Sequence, residues 1–141
     1  MIRLPEKAAL LINQLKSYGH EAFIVGGCVR DGLLGRAPND WDICTSASPE
    51  EMKRCFSNFR VIETGLKHGT LTVLAEGEPF EITTYRIDGE YSDGRHPDQV
   101  LFTSDLREDL SRRDFTINAM AWHPQTGLVD PFGGARDLKR G

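Results

Sequence analysis

Ala22-Phe23-Ile24-Val25-Gly26-Gly27-Cys28-Val29-Arg30-Asp31 opens with a short apolar run, breaks at two glycines and continues into a segment, Val29 to Leu34, that reads as a helix closed by Gly35. A strand that turns into a helix through Gly-Gly is the reading on which the fold depends. Without a Cβ, the glycines let the backbone approach a ligand closely. The helix that follows directs its free N–H groups and the positive end of its dipole at the turn, an arrangement that suits phosphate. Arg30, one turn into the helix, can add bidentate contacts to phosphate oxygens. Alone, the same residues also suit an ordinary strand–turn–helix link.

Downstream lies Asn39-Asp40-Trp41-Asp42, which leads into a strand predicted over Trp41–Thr45. Residues two apart on a strand share a face, so Asp40 and Asp42 are expected side by side. Like charges so placed raise each other's pKa and call for a cation or solvent. An oxygen-only carboxylate pair suits Mg²⁺, which keeps several waters and shares its other positions with substrate phosphates. A solvent-facing acidic turn is the alternative for this pair. Glu81 sits between Phe80 and Ile82, where a charge is expensive unless solvated or paired. If its strand lies beside that of Asp42, three carboxylates converge, as in sites where metal ions clamp both oxygens of a phosphoryl transfer. On an edge strand Glu81 is a plain surface residue.

The remaining chain supplies the frame. Ala8, Leu11, Ile12 and Leu15 predict a helix over 6–18, stopped by Gly19. Ser48-Pro49-Glu50-Glu51 starts a helix running to about Phe56. Arg60–Glu63, Gly69–Ala75 and Phe80–Arg86 read as strands, and residues 87–102 as a turn-rich loop or irregular hairpin. Leu106–Leu110 and Phe115–Trp122 read as helical, with a further helix beginning over Asp137–Arg140. The resulting order, α-β-α-β-α-β-β-β-α-α, fits a compact α/β domain with a small mixed sheet.

Two more segments carry candidate chemistry. In Arg112-Arg113-Asp114-Phe115-Thr116-Ile117-Asn118, adjacent arginines ahead of a helix can reach a triphosphate. Asp114, as helix cap, and Asn118, four residues on, are then available to ribose hydroxyls. The competing reading is a solvated turn that pairs with Glu108 and Asp109. Asp130-Pro131-Phe132-Gly133-Gly134 reads as a hinge or tight turn.

Composition bounds these readings. The 141 residues suit one domain, 39% of them hydrophobic and 27% charged. Cys28, Cys44 and Cys55 form no CxxC pair, and His20, His68, His96 and His123 lack ligand spacing, so neither a disulfide framework nor a zinc site is expected. No apolar run is long enough to span a membrane, and the N-terminus lacks signal-peptide organisation, so the cytoplasm is expected. A net charge of −4 argues against a generic nucleic-acid binder, although Arg112, Arg113, Arg136, Lys139 and Arg140 gather towards the C-terminal end.

Taken in order, Val25 to Asp31, Asp40-Trp41-Asp42, Arg112 to Met120 and Asp130 to Leu138 resemble the signatures of the class II tRNA nucleotidyltransferase (CCA-adding enzyme) and bacterial poly(A) polymerase family. The Gly-Gly turn with a spaced acidic pair also occurs in nucleotidyltransferases that modify antibiotics or proteins, and the Arg-Arg-Asp segment narrows the choice. The resemblance implies an α/β fold, a small mixed-sheet, DNA polymerase beta-like head domain with flanking helices over residues 1–141. It implies nucleotidyl transfer from CTP or ATP to the 3′ end of tRNA with release of pyrophosphate. Asp40 and Asp42 match Mg²⁺ ligands, with Glu81 as candidate third carboxylate. Gly26, Gly27 and Arg30 match the phosphate-binding turn, and Arg112, Asp114 and Asn118 the nucleotide and ribose segment. Residues 87–102 resemble the mobile element tied to adding the terminal A. Family members continue into helical domains that read the base and hold tRNA, so base selection is expected beyond Gly141. Addition of CCA, of A alone or of poly(A) all fit these motifs, as does a non-catalytic nucleotide- or RNA-binding module. Oligomeric state is left open.

Overall fold

The computed structural model describes residues 2–38, 40–65, 68–88, 100–113 and 115–140, the side chains of Thr64, Asp88, Val100 and Arg140 aside. Helix α1 (Glu6–Ser17) buries Ala8, Leu11, Ile12 and Leu15, the stripe its spacing predicts. Strand β1 (Ala22–Val25) leads into α2 (Gly27–Leu33), and β2 (Asp42–Thr45) into α3 (Pro49–Cys55). Helix α3 starts with a full capping box: the Ser48 hydroxyl accepts from the Glu51 amide while the Glu51 carboxylate accepts from the Ser48 amide. Strands β3 (Arg60–Gly65), β4 (Thr70–Ala75) and β5 (Glu78–Thr84) follow as a meander.

These strands join a seven-stranded mixed sheet in the order β3-β4-β5-β2-β1-β8-β9, where β8 is Ala121–His123 and β9 is Gly127–Val129. All neighbours are antiparallel except β2 and β5, which run parallel. Alternation along the strands sorts their side chains onto two faces. Ile24, Ile43, Leu71, Val73, Phe80 and Ile82 point into the larger core beneath α1, α2 and α3. Val25 and Cys44 point the other way, into a smaller core with Tyr85, Leu110, Ala119 and Ala121. Asp42, two residues before Cys44, and Glu81, between Phe80 and Ile82, therefore belong to this second face. The three cysteines are buried and free. Among the described residues no helix is long and apolar enough to cross a membrane.

The structure corrects two sequence readings. Phe115–Trp122 is not a helix: only Thr116–Asn118 makes a single 3₁₀ turn, and Ala121–Trp122 enters β8. Met120 lies in the larger core and Ala121 in the smaller, so successive side chains point to opposite faces, as in a strand. A short apolar run does not separate the two periods. The decisive signal was further on, where Gly127, at φ 81°, closes the hairpin that pairs β8 with β9. The proposed strand Phe80–Arg86 also divides. It breaks at Tyr85, fully buried, whose N–H donates to the Thr45 carbonyl at 2.8 Å. Strand β6 (Arg86–Asp88) then pairs with β7 (Val100–Phe102), so the ends of the predicted 87–102 segment form a hairpin; residues 89–99 lie outside the described residues. Helices α4 (Leu106–Ser111) and α5 (Gly134–Arg140) complete the chain. Helix α5 starts earlier than Asp137 because the Asp130 carboxylate accepts from the Gly134 and Ala135 amides at 2.7 and 3.0 Å.

Candidate active site

Gly26 is the N-cap of α2 and adopts φ 80°, a conformation that disfavours residues with a Cβ. Its N–H donates to the Met120 carbonyl at 3.2 Å, and its carbonyl accepts from the Val29 and Arg30 amides. A Cβ added there would stand 3.4 Å from Nη1 of Arg113, and one added at Gly27 would stand 3.3 Å from Nη2 of Arg30. The Gly-Gly turn thus runs between two guanidinium groups. Arg30 donates from Nη1 to Oδ1 of Asn118 at 3.0 Å and from Nε to Oδ1 of Asp31 at 3.2 Å. Arg30 and Asn118, far apart in sequence, are therefore in direct contact, although Asn118 comes from the 3₁₀ turn rather than from a helix face shared with residue 114.

The acidic group sits on the open side of the sheet. Asp42 is the first residue of β2, and its register partner on β5 is Glu81, whose partner on β4 is Thr72. The strand of Glu81 does lie beside that of Asp42, as the convergence of carboxylates requires. Asp40 differs from expectation: it precedes β2 and is exposed, so it is not held to the pleat. Its charge still reaches Asp42. The Asp42 carboxyl is pushed above the usual carboxylate range, first by desolvation in its partly enclosed surroundings, then by the Glu81 charge, with Asp40 adding and Arg113 opposing. Among the described residues no group of three or more His, Cys, Asp or Glu side chains stands ready to hold a metal ion. The oxygen-only donors and the surplus negative charge on Asp42 nonetheless fit a hard divalent cation.

Near these carboxylates stand Arg112 and Arg113. Together with Asp42, Glu81, Arg86 and Asp109 they line a cavity of about 240 Å³ on the second face. The Nε atoms of Arg112 and Arg113 are buried and have no hydrogen-bond partner among the described residues. Buried donors left unmade are costly, and guanidinium forks match phosphate oxygens in pairs. The arginines of the cavity are therefore suited to a polyphosphate and its carboxylates to a cation. Arg30, Gly26, Gly27, Asn118 and Asp40 do not line this cavity; the Gly26 turn, abutting Arg113, connects the two groups. Asp114 lies outside the described residues.

Sequence reasoning undervalued Asp109. The competing reading of a solvated turn leaves it at the surface, yet it is 1% exposed. Its Oδ1 accepts from the Arg86 amide at 2.8 Å, and its two oxygens stand 3.6 Å from Nε of Arg112 and 3.6 Å from Nη2 of Arg113. The signal was its spacing: three and four residues before the arginines on a helical stretch, it faces both.

Comparison with known proteins gives the family and the fold. Residues 22–141 match the family model of the poly A polymerase head domain. The CCA-adding enzyme of Geobacillus kaustophilus (strain HTA426) is 51% identical over 135 residues, covering 96% of this chain and 33% of that protein. The crystal structure of the Bacillus stearothermophilus CCA-adding enzyme in complex with CTP superposes with a TM-score of 0.84 at 44% identity, over 96% of this chain and 31% of that one. A tRNA nucleotidyltransferase complexed with a primer tRNA and an incoming ATP analogue gives a TM-score of 0.64 at 34% identity, over 92% and 36% of the two chains. The chain thus spans about a third of the length of the relatives it matches.

Proposed function

Since the chain belongs to the poly A polymerase head-domain family, we propose that it is the catalytic head of a CCA-adding type tRNA nucleotidyltransferase, located in the cytoplasm. The reaction joins the 3′-oxygen of tRNA to the α-phosphorus of CTP or ATP. The bond from that phosphorus to the β-phosphate's bridging oxygen breaks, pyrophosphate leaves, and the hydroxyl proton passes to solvent. One observation carries the reading: Asp42 and Glu81 are register partners and line the same cavity as Arg112 and Arg113.

The residues divide the work by charge. Arg112 and Arg113 present guanidinium donors to the triphosphate and stabilise charge that builds on the leaving pyrophosphate. The Gly26-Gly27 turn keeps side-chain atoms away, so a phosphate can approach the start of α2, and Arg30, braced by Asn118, adds a third cation. Asp42 and Glu81, with Asp40 alongside, are the groups that would hold Mg²⁺. When bound, that ion supplies a lower pKa for the attacking hydroxyl and neutralises charge on the phosphates. No nucleophilic side chain is needed, in keeping with cysteines that burial keeps protonated: Cys55 is pushed up to about 11 and Cys28 is also raised.

The test is acceptor choice. The complete protein is incubated with Mg²⁺ and CTP, ATP or both, on a tRNA lacking its last three nucleotides and on an unrelated RNA of similar length. The proposal expects two C residues and one A on the tRNA alone. Long A tracts on either RNA would assign poly(A) synthesis instead, and no incorporation by folded protein would leave a binding module.

A further inference from the structure

We propose that Asp109 is a positioning residue of the nucleotide site: one buried carboxylate that aims both cavity arginines and ties them to the root of the β6–β7 hairpin. The inference deepens the functional reading above and rests on it. Asp109 lies on α4 and is 1% exposed. Among the described residues its carboxylate makes one close hydrogen bond, from the Arg86 amide at 2.8 Å, and Arg86 is the first residue of β6. Its distances to Nε of Arg112 and Nη2 of Arg113 are each 3.6 Å, too long for well-formed hydrogen bonds. The attraction is therefore mainly Coulombic. It orients the two guanidinium groups without consuming their N–H donors, and both Nε groups remain without a hydrogen-bond partner among the described residues. A carboxylate that bonded them fully would compete with phosphate. A neutral side chain would remove the one buried carboxylate that stands within 4 Å of both guanidinium groups among the described residues.

The backbone bond gives the carboxylate a second task. Any displacement of Arg86 moves the one close contact of Asp109, and the arginines follow the carboxylate. The position of the β6–β7 hairpin and the aim of the phosphate-binding groups are thus coupled through one side chain. Asp109 touches no reacting atom in this account.

The test compares Asp109→Asn with the wild type in the complete protein, measuring steady-state nucleotide incorporation into tRNA. The KM for CTP and ATP is expected to rise tenfold or more, with kcat within threefold and the KM for tRNA within twofold. Asp109→Glu, which keeps the charge, should recover part of the loss. In an Arg112→Ala/Arg113→Ala background, Asp109→Asn should add less than a twofold further change, because the carboxylate then has no arginine to aim. A nucleotide KM within twofold of wild type in a folded Asp109→Asn variant overturns the proposal. So does a tenfold loss that persists without the arginines, since that marks a purely structural role. Should Asp109→Asn fail to fold, guanidinium hydrogen exchange in the wild type decides. The Nε–H groups of Arg112 and Arg113 should exchange at least tenfold slower than that of exposed Arg60, and slower still with inorganic tripolyphosphate; exchange as fast as Arg60 refutes the positioning. A wild type that transfers no nucleotide at all sinks the functional reading itself, before any variant is compared.

Discussion

Replacing Asp42 by asparagine should make the metal-free protein more stable while destroying its proposed activity. In the sheet, Asp42 faces Glu81 as a direct register partner. Like charges placed opposite each other on neighbouring strands destabilise by roughly 0.2–1 kcal/mol. Desolvation of the Asp42 carboxyl adds to that cost, and the nearby charge of Arg113 offsets part of it. Asp42 is open to solvent at the cavity edge, so screening keeps the net gain on removing the charge at about 0.5 kcal/mol. For a chain of this size that corresponds to roughly 1–3 °C in Tm. The sign with pH follows from the raised pKa. The folded state holds the Asp42 proton more tightly than the unfolded state, so the penalty is fully present well above the folded pKa. It fades as pH falls through that value, and the advantage of the variant shrinks with it. Mg²⁺ should reverse the order. Binding only to the folded wild type at ten times its Kd would contribute about 1.4 kcal/mol, and the variant should gain little. Thermal unfolding at neutral and acidic pH, with EDTA or Mg²⁺, measures all of this. An asparagine variant less stable than wild type by about 1 kcal/mol or more in EDTA would show Asp42 held by favourable contacts rather than crowded by like charge.

Other consequences follow from the frame around the site. Gly134→Ala should cost about 1–3 kcal/mol or more, because the new methyl would overlap the Thr116 carbonyl that α5 packs against; urea unfolding checks this, and an unchanged midpoint would contradict it. Asp130→Ala removes the acceptor for two amides at the start of α5 and should cost about 1–2 kcal/mol, read in the same way. Ser48→Ala breaks the capping box of α3 and should cost about 1 kcal/mol by thermal unfolding, with nucleotide KM unchanged because α3 lies beneath the opposite face of the sheet.

How legible these features were depends on whether the signal was local. Helix α1, strand β1 and the capped start of α3 could be read directly, since each announces itself within a few residues by period or cap. The Gly26-Gly27 turn, Arg30 and the Arg112-Arg113 pair were singled out for the same reason. Strands β8 and β9 were missed because three-residue strands show too little alternation to be told from a helical turn, and the pairing of β8 with β1 is a tertiary fact. The adjacency of Asp42 and Glu81 could be posed only as a condition, because which strands neighbour each other is set by the crossover that makes β2 and β5 parallel. Asp109 was passed over because its spacing to Arg112 and Arg113 shows which groups it faces but not that it is buried; burial came with Arg86 and the two arginines meeting around it.

On the proposed function, the carboxylates of β2 and β5 and the arginines beyond α4 form one metal-dependent transfer site. The most direct measurement is single-turnover incorporation of labelled CMP from CTP into tRNA lacking its 3′ CCA, by the complete protein, as Mg²⁺ is raised from zero, for wild type and Asp42→Asn. No product is expected without metal, saturable product with Mg²⁺ and pyrophosphate in equal amount, and a loss of at least a thousandfold in the variant, about 4 kcal/mol of transition-state stabilisation. Wild-type turnover in EDTA, or near-normal turnover by a folded Asp42→Asn protein, would contradict it.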